Sequence, residues 1–201
     1  MLAAIHARLE IFSRYLVWAG GASLMIAAII VTFDVLSRKI FNVTMSGSDE
    51  ISGYVFAGST TWAYSYCLLH RSNVRIDAIY NLLPRPVTGT LDVIGLSLLL
   101  YYMWFMTKTG VLAFLESWEL NSVSITTLET PQWIPQLFWA GGLVMFFCTL
   151  VFVTFYALVA LAQRNWDLVQ RIAGVPSIAE VVDEETHGVD VMDAARIRGE
   201  P

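Results

Sequence analysis

Residues 131–162 read PQWIPQLFWAGGLVMFFCTLVFVTFYALVALA, and no Asp, Glu, Lys, Arg or His interrupts them. A helix rising 1.5 Å per residue needs about 20 residues to cross a hydrocarbon layer about 30 Å thick. This run exceeds that requirement. Its two prolines, Pro131 and Pro135, fall at the start, where a missing amide proton is tolerated. The stretch therefore reads as a membrane-spanning helix.

Three further apolar runs precede it, over residues 15–37, 51–69 and 87–115. The charges within them, Asp34, Asp92 and Lys108, lie near their ends. The expected fold is an all-α membrane protein with four transmembrane helices, the longer ones tilted because a helix of about 30 residues is about 45 Å long. Composition agrees: 56% hydrophobic and 14% charged residues, with a mean hydropathy of +0.60, lie outside the range of an ordinary soluble domain. The run from Tyr15 is too long for a signal-peptide core and is followed by no small-residue cleavage site, so it reads as a retained anchor.

Outside the runs, Val74 to Leu83 places Ile76, Ile79, Tyr80 and Leu83 at three-to-four-residue spacing before Pro84. This predicts a short amphipathic helix in the membrane interface. Residues 1–14, with Ile5, Leu9 and Phe12, predict a second. The sequence thus divides into an interfacial helix over 1–14, a transmembrane domain over 15–162 and an acidic, mostly disordered tail over 163–201. The tail carries Asp167, Glu180, Asp183, Glu184, Glu185, Asp190, Asp193 and Glu200 against Arg164, Arg171, Arg196 and Arg198, and so accounts for −4 of the net −5. The membrane body is nearly neutral, with no basic footprint for nucleic acid.

Basic residues flanking short loops orient a membrane protein. Arg8, Arg14, Arg71, Arg75, Arg85, Arg164 and Arg171 fall on one side of a four-span layout. The other side holds Arg38 and Lys39, with Lys108 at its boundary and Glu116, Glu119 and Glu129 in its second loop. Both termini are expected in the cytoplasm. Trp118, Trp133 and Trp139 near the outer end, and Trp18 and Trp166 near the inner end, are expected as interfacial anchors. Gly20, Gly21, Ala22, Gly53, Ala57, Gly58, Gly141 and Gly142 are expected to permit close helix contacts.

Catalysis finds little to work with. His6, His70 and His187 all lie outside the spans, which disfavours intramembrane haem ligation. Cys67 and Cys148 sit in separate runs and read as buried, inert thiols. No nucleotide-binding glycine loop, metal-type spacing or convergent Ser/His/Asp set is present, so no enzyme activity, cofactor, metal or substrate-binding residue is assigned. Uncharged helix centres also speak against a conducting or proton-relaying role. A four-helix scaffold or accessory subunit remains.

Three patches narrow this reading. They are Asp34-Val-Leu-Ser-Arg38-Lys-Ile-Phe-Asn42, Ser48-Asp49-Glu50-Ile-Ser-Gly-Tyr54 and His70-Arg71-Ser-Asn-Val74-Arg75-Ile-Asp77. In this order and layout they resemble the small membrane subunit, DctQ-like, of tripartite ATP-independent periplasmic (TRAP) transporters, over about residues 8–162. Ser72-Asn73 stands where that family often has glycine or histidine.

The resemblance implies a small permease subunit in the bacterial inner membrane. It would brace a large multi-span, sodium-coupled transport subunit. Its substrate would be an organic acid (a C4-dicarboxylate, sialic acid or similar carboxylate) delivered by a periplasmic solute-binding protein. The alternative is an assembly or stability subunit of an unrelated complex.

On the matched patches, Asp34, Arg38, Asp49, Glu50, Arg71, Arg75 and Asp77 become candidates for structural or interface roles. Arg38 with Asp49 or Glu50 would join the outer ends of spans one and two. Asp34 could pair with Arg38 four residues on, or with Lys108 at similar depth. Glu116, Glu119 and Glu129 are the candidates for docking the binding protein.

Overall fold

The structure is a computed structural model and describes residues 2–71 and 84–174. Apolar segments of this length satisfy their backbone groups most simply as helices. Helices are what they form: α1 Leu2–Phe41, α2 Ser48–Leu69, α3 Arg85–Glu119, α4 Trp133–Ala162 and a short α5, Trp166–Ala173. Among the described residues there is no strand, only an isolated antiparallel bridge between Val123 and Pro131.

Helix α1 has 40 residues, about 60 Å at 1.5 Å per residue, and runs without a break through residue 14. Among the described residues three helices are long and apolar enough to cross a membrane: Ile5–Phe41, Pro86–Glu119 and Trp133–Ala162, whose most apolar 18-residue windows have mean hydropathies of 2.1, 1.4 and 2.5. Helix α2, with 22 residues, has the length, but Ser52, Ser59, Thr60, Thr61 and Ser65 leave it outside that set. Its hydroxyls bond mainly within the helix, Thr60 to the Phe56 carbonyl at 2.7 Å and Thr61 to that of Gly58 at 2.9 Å. Ser59 instead reaches across to Ser23 of α1 at 3.1 Å.

The principal helix contacts run α1 to α2, α2 to α4 and α4 to α3, while α5 packs on α3 and α4. The long helices thus form an open row in the order α1–α2–α4–α3. Small residues set the close approaches. A Cβ on Gly142 of α4 would lie 2.3 Å from Thr61 Oγ1 and 2.5 Å from Trp62 Cδ1. Gly20 of α1 lies against Ser59, and Gly58 against Phe138. By contrast Gly21, Gly53 and Gly141, also expected at helix contacts, face open space within this chain. Each is on the far side of its helix from the neighbour.

The apolar core is built around α4. Leu150, Val153, Ala157 and Ala160 pack with Val93, Leu96 and Met103 of α3 and with Val169 and Ile172 of α5. Trp139 covers Gly110, and Trp166 covers Gly89, so these two indoles serve helix packing where anchoring was expected. Trp18, 75% exposed, and Trp118 have the exposure expected of anchors. Cys67 is half-buried and Cys148 exposed, which corrects the expectation of two buried thiols.

Helix α5 stands at the start of the segment expected to be a disordered tail. Asn165 caps it, its side chain accepting from the Leu168 amide at 3.2 Å. Leu168, Val169 and Ile172 supply the apolar face that turns it onto the core. The rest of the expected tail, and the expected interfacial helix over 74–83, lie outside the described residues.

Candidate functional site

The polar side chains gather at the two ends of the row, and the end expected to be the outer one, called the outer end here, is the more elaborate. Near the end of α1, Asp34 is only 1% exposed. Its carboxylate accepts from Arg38 Nη2 at 2.7 Å, from the Met45 amide at 2.6 Å and from Ser48 Oγ at 2.9 Å. One side chain thus gathers its own helix, the connecting loop and the first residue of α2. The loop turns at Asn42, with φ 55°, and at Gly47, with φ 95°. Left-handed backbone of the second kind favours glycine, and Leu128 lies directly over Gly47, leaving no room for a Cβ.

This places Arg38 on Asp34 and not on Asp49 or Glu50 as expected. The local spacing wins, because residues four apart share a helix face. Lys108 is exposed on α3, away from this cluster. Asp49 is also exposed and takes no part in it.

Glu50 has a different partner. It accepts from Thr126 in the loop between α3 and α4, and from Tyr54 one turn along α2. These hydrogen bonds, Thr126 foremost and then Tyr54, hold its carboxyl below the usual range. Ser46 of the α1–α2 loop and Thr127 of the α3–α4 loop make a second hydroxyl contact. The α3–α4 loop is itself folded: the Ser124 amide donates to the Thr130 carbonyl, and the Gln132 amide to that of Ser122, each at 2.9 Å. At its tip Glu129 turns with φ 47°. Behind it Trp118 and Trp133 meet edge to face, with centroids 4.8 Å apart.

Glu116, Glu119 and Glu129 are all exposed around this loop. The outer end therefore has an internally satisfied layer, Asp34 and Glu50, beneath a layer of exposed acids. At the inner end, Arg71, with φ 54°, donates from Nη1 to the Gln170 carbonyl of α5 at 3.3 Å. His70 stacks on Tyr66 and brings Nε2 to 3.5 Å from Glu10 of α1. Asp92, near the start of α3, is buried. Arg75 and Asp77 lie outside the described residues.

The members that sequence reasoning missed are Met45, Ser48, Tyr54 and Thr126. Thr126 is 76 residues from Glu50, and nothing local in the sequence signals that pairing. Chemically, these carboxylates act as hydrogen-bond acceptors that knot turns together. Among the described residues no group of His, Cys, Asp and Glu is arranged to hold a metal ion.

No curated protein and no solved structure matches the chain. A family model does: the DctQ component of the tripartite ATP-independent periplasmic transporters matches residues 26–165, from within α1 to the cap of α5. That stretch contains the whole outer corner, three of the four long helices and the part of α1 from residue 26 onward. A row of apolar helices with polar corners is in keeping with a membrane transport subunit. The chain belongs to the DctQ component family of the tripartite ATP-independent periplasmic transporters.

Proposed function

We propose that the chain is the small permease subunit of a TRAP transporter in a bacterial inner membrane. In this reading it braces a large, sodium-coupled multi-span subunit during uptake of a carboxylate that a periplasmic binding protein delivers. The observation that carries this reading is the open row itself. Its long helices keep ionisable groups away from their centres and leave large apolar side chains exposed on both sides, among them Met25, Phe33, Leu98, Tyr101 and Phe155. Such a sheet of helices offers area to a partner and contains no pathway of its own.

Helix α2 is the fourth span in this reading. Its 22 residues rise about 33 Å, and it packs between α1 and α4. Both termini then face the cytoplasm. The outer corner faces the periplasm, where Glu116, Glu119 and Glu129 are free of the two carboxylate clusters and available to the binding protein. Asp34, Arg38 and Glu50 shape that face from beneath. Arg71, Arg75 and Asp77 act at the cytoplasmic end. The alternative, an assembly subunit of an unrelated complex, has no observation in its favour beside the family membership.

The test is uptake of labelled carboxylates in cells expressing a neighbouring large permease and binding protein, with and without this chain. Uptake that requires all three supports the proposal. Equal uptake without this chain overturns it. A reporter fused after Arg198 that works only outside the cytoplasm would overturn the orientation alone.

A further inference from the structure

At the inner end of the row, one carboxylate lies between two histidines that come from different helices. Glu10 belongs to α1, and His6 stands one turn before it on the same helix face. His70, the residue that caps α2, closes the other side, with Nε2 3.5 Å from Glu10 Oε1. Its ring is set by stacking on Tyr66, with centroids 4.1 Å apart. His6 is near enough to feel both neighbours: when charged it is attracted by Glu10 and repelled by His70.

We propose that Glu10, His70 and His6 form a proton-operated latch, which fastens the part of α1 before residue 15 to the end of α2. Three observations support it. First, the contact is incomplete as it stands. His70 Nε2 is buried and makes no hydrogen bond among the described residues, although a carboxylate faces it. A proton on the ring supplies an N–H to that carboxylate and turns the contact into an ion pair.

Second, little else holds this part of α1. Leu9 packs against the core and Ser13 is buried, but Ile5, Arg8, Ile11, Phe12 and Arg14 are exposed. A single added ion pair is therefore a large share of what fastens it. Third, no other charge occupies the carboxylate. Among the described residues the ion-pair contact of Glu10 is with His70, not with exposed Arg14 four residues on, and Arg71 turns toward α5 to donate to the Gln170 carbonyl. Two histidines thus share one carboxylate, which balances one proton, and a second meets like charge.

The attraction needs a protonated imidazole and an ionised carboxylate. It is absent above the histidine range, appears as pH falls through that range, and lasts down to the carboxylate range. The side chains of His70 and Glu10 are 31% and 37% exposed, so protons reach them from solvent and water moderates the gain. In the orientation of the proposed function this end faces the cytoplasm, and acidification there tightens the seam between α1 and α2.

That orientation decides only which compartment is sensed. The latch is tested on the purified full chain in nanodiscs, by hydrogen exchange at about pH 8 and about pH 6, each rate being referred to that of the unstructured amide. The amides of His70 and Arg71 bond to the Tyr66 and Leu68 carbonyls. Their protection is expected to rise about two- to fivefold at the lower pH, together with that of residues 5–12 in α1. Glu10→Gln and His70→Gln are each expected to abolish the rise at the end of α2, and His6→Gln to keep it. Equal protection at both pH values in the native chain overturns the inference. So does a rise at α2 that survives Glu10→Gln or His70→Gln, and so does a rise confined to α1, which would be His6 pairing with Glu10 inside one helix. None of these outcomes depends on whether the chain proves necessary for carboxylate uptake, so the latch and the transporter reading fail separately.

Discussion

Helices α1 and α4 are alike in apolar character, their most apolar 18-residue windows having mean hydropathies of 2.1 and 2.5, yet 44% of that window of α4 is buried within the chain against 11% for α1. The difference is one of position in the row. Helix α1 sits at an edge and buries a single stripe: Ser13, Gly20, Ala27 and Asp34, one residue in seven, all small or polar. That seven-residue period is the seam of a helix touching one neighbour. Helix α4 lies between α2 and α3 and buries a broad face, from Ala140, Gly142 and Leu143 through Leu150 and Val153 to Ala160. In a membrane, hydropathy reports only that a helix meets lipid or protein. Small residues at the right spacing report which.

The contrast can be broken most forcefully at the paired glycines of α4. Gly142→Leu drives a side chain into Thr61 and Trp62 and is expected to destabilise the α2–α4 contact by about 2 kcal/mol or more, whereas Gly141→Leu, facing open space, changes it by less than about 0.5 kcal/mol. Thermal unfolding of both variants in the same detergent checks this. Equal losses would mean that α4 is not seated on α2 as described.

A cavity series sharpens the same comparison. Lipid removes most of the hydrophobic transfer term but not the lost packing, so Leu150→Ala, at a position 0% exposed, should cost about 1–3 kcal/mol. Met25→Ala on α1, 65% exposed, should cost under about 0.5 kcal/mol in the isolated chain. If the α1 variant then weakens association with a large permease, its exposed face belongs to that partner.

Smaller and more local effects belong to the outer corner. Asp34→Ala leaves Arg38, the Met45 amide and Ser48 without their common acceptor. Hydrogen exchange at Met45 is expected to accelerate by roughly tenfold or more, with α4 unaffected. The smallest effect is the pH dependence of the loop tether. Hydrogen bonding depresses the Glu50 carboxyl, so the stability it contributes is present above the ordinary carboxylate pKa and is lost only as pH falls through the lowered, folded-state value. The α3–α4 loop should therefore stay docked at neutral and mildly acidic pH and loosen at strongly acidic pH. Glu50→Gln should remove that step from the exchange profile of Thr126.

The apolar runs of the helices and the charges at their ends could be read from the sequence, because both are local properties. So could the Asp34–Arg38 pair, whose four-residue spacing competes only with its immediate surroundings. What could not be read was the order of the row. Gly141 and Gly142 are adjacent, and only the actual neighbour decides that the second is the contact. Trp139 and Trp166 looked like anchors because an indole near a membrane boundary suits either role. The docking of Thr126 on Glu50 and of Leu128 on Gly47 joins loops that are distant in the chain. Helix α5 did leave a signal, Asn165 followed by Leu168, Val169 and Ile172, but the acidic composition beyond it masked that pattern.

The central claim is the open row, and the distance between its two edge helices tests it most directly. Spin labels at Met25→Cys on α1 and Leu98→Cys on α3, both exposed, are placed in a chain carrying Cys67→Ala and Cys148→Ala and reconstituted in nanodiscs. The row predicts a separation of two to three helix spacings, roughly 18–30 Å. A single population at one spacing, roughly 8–10 Å, would mean that α1 and α3 are neighbours in a closed bundle and would contradict it.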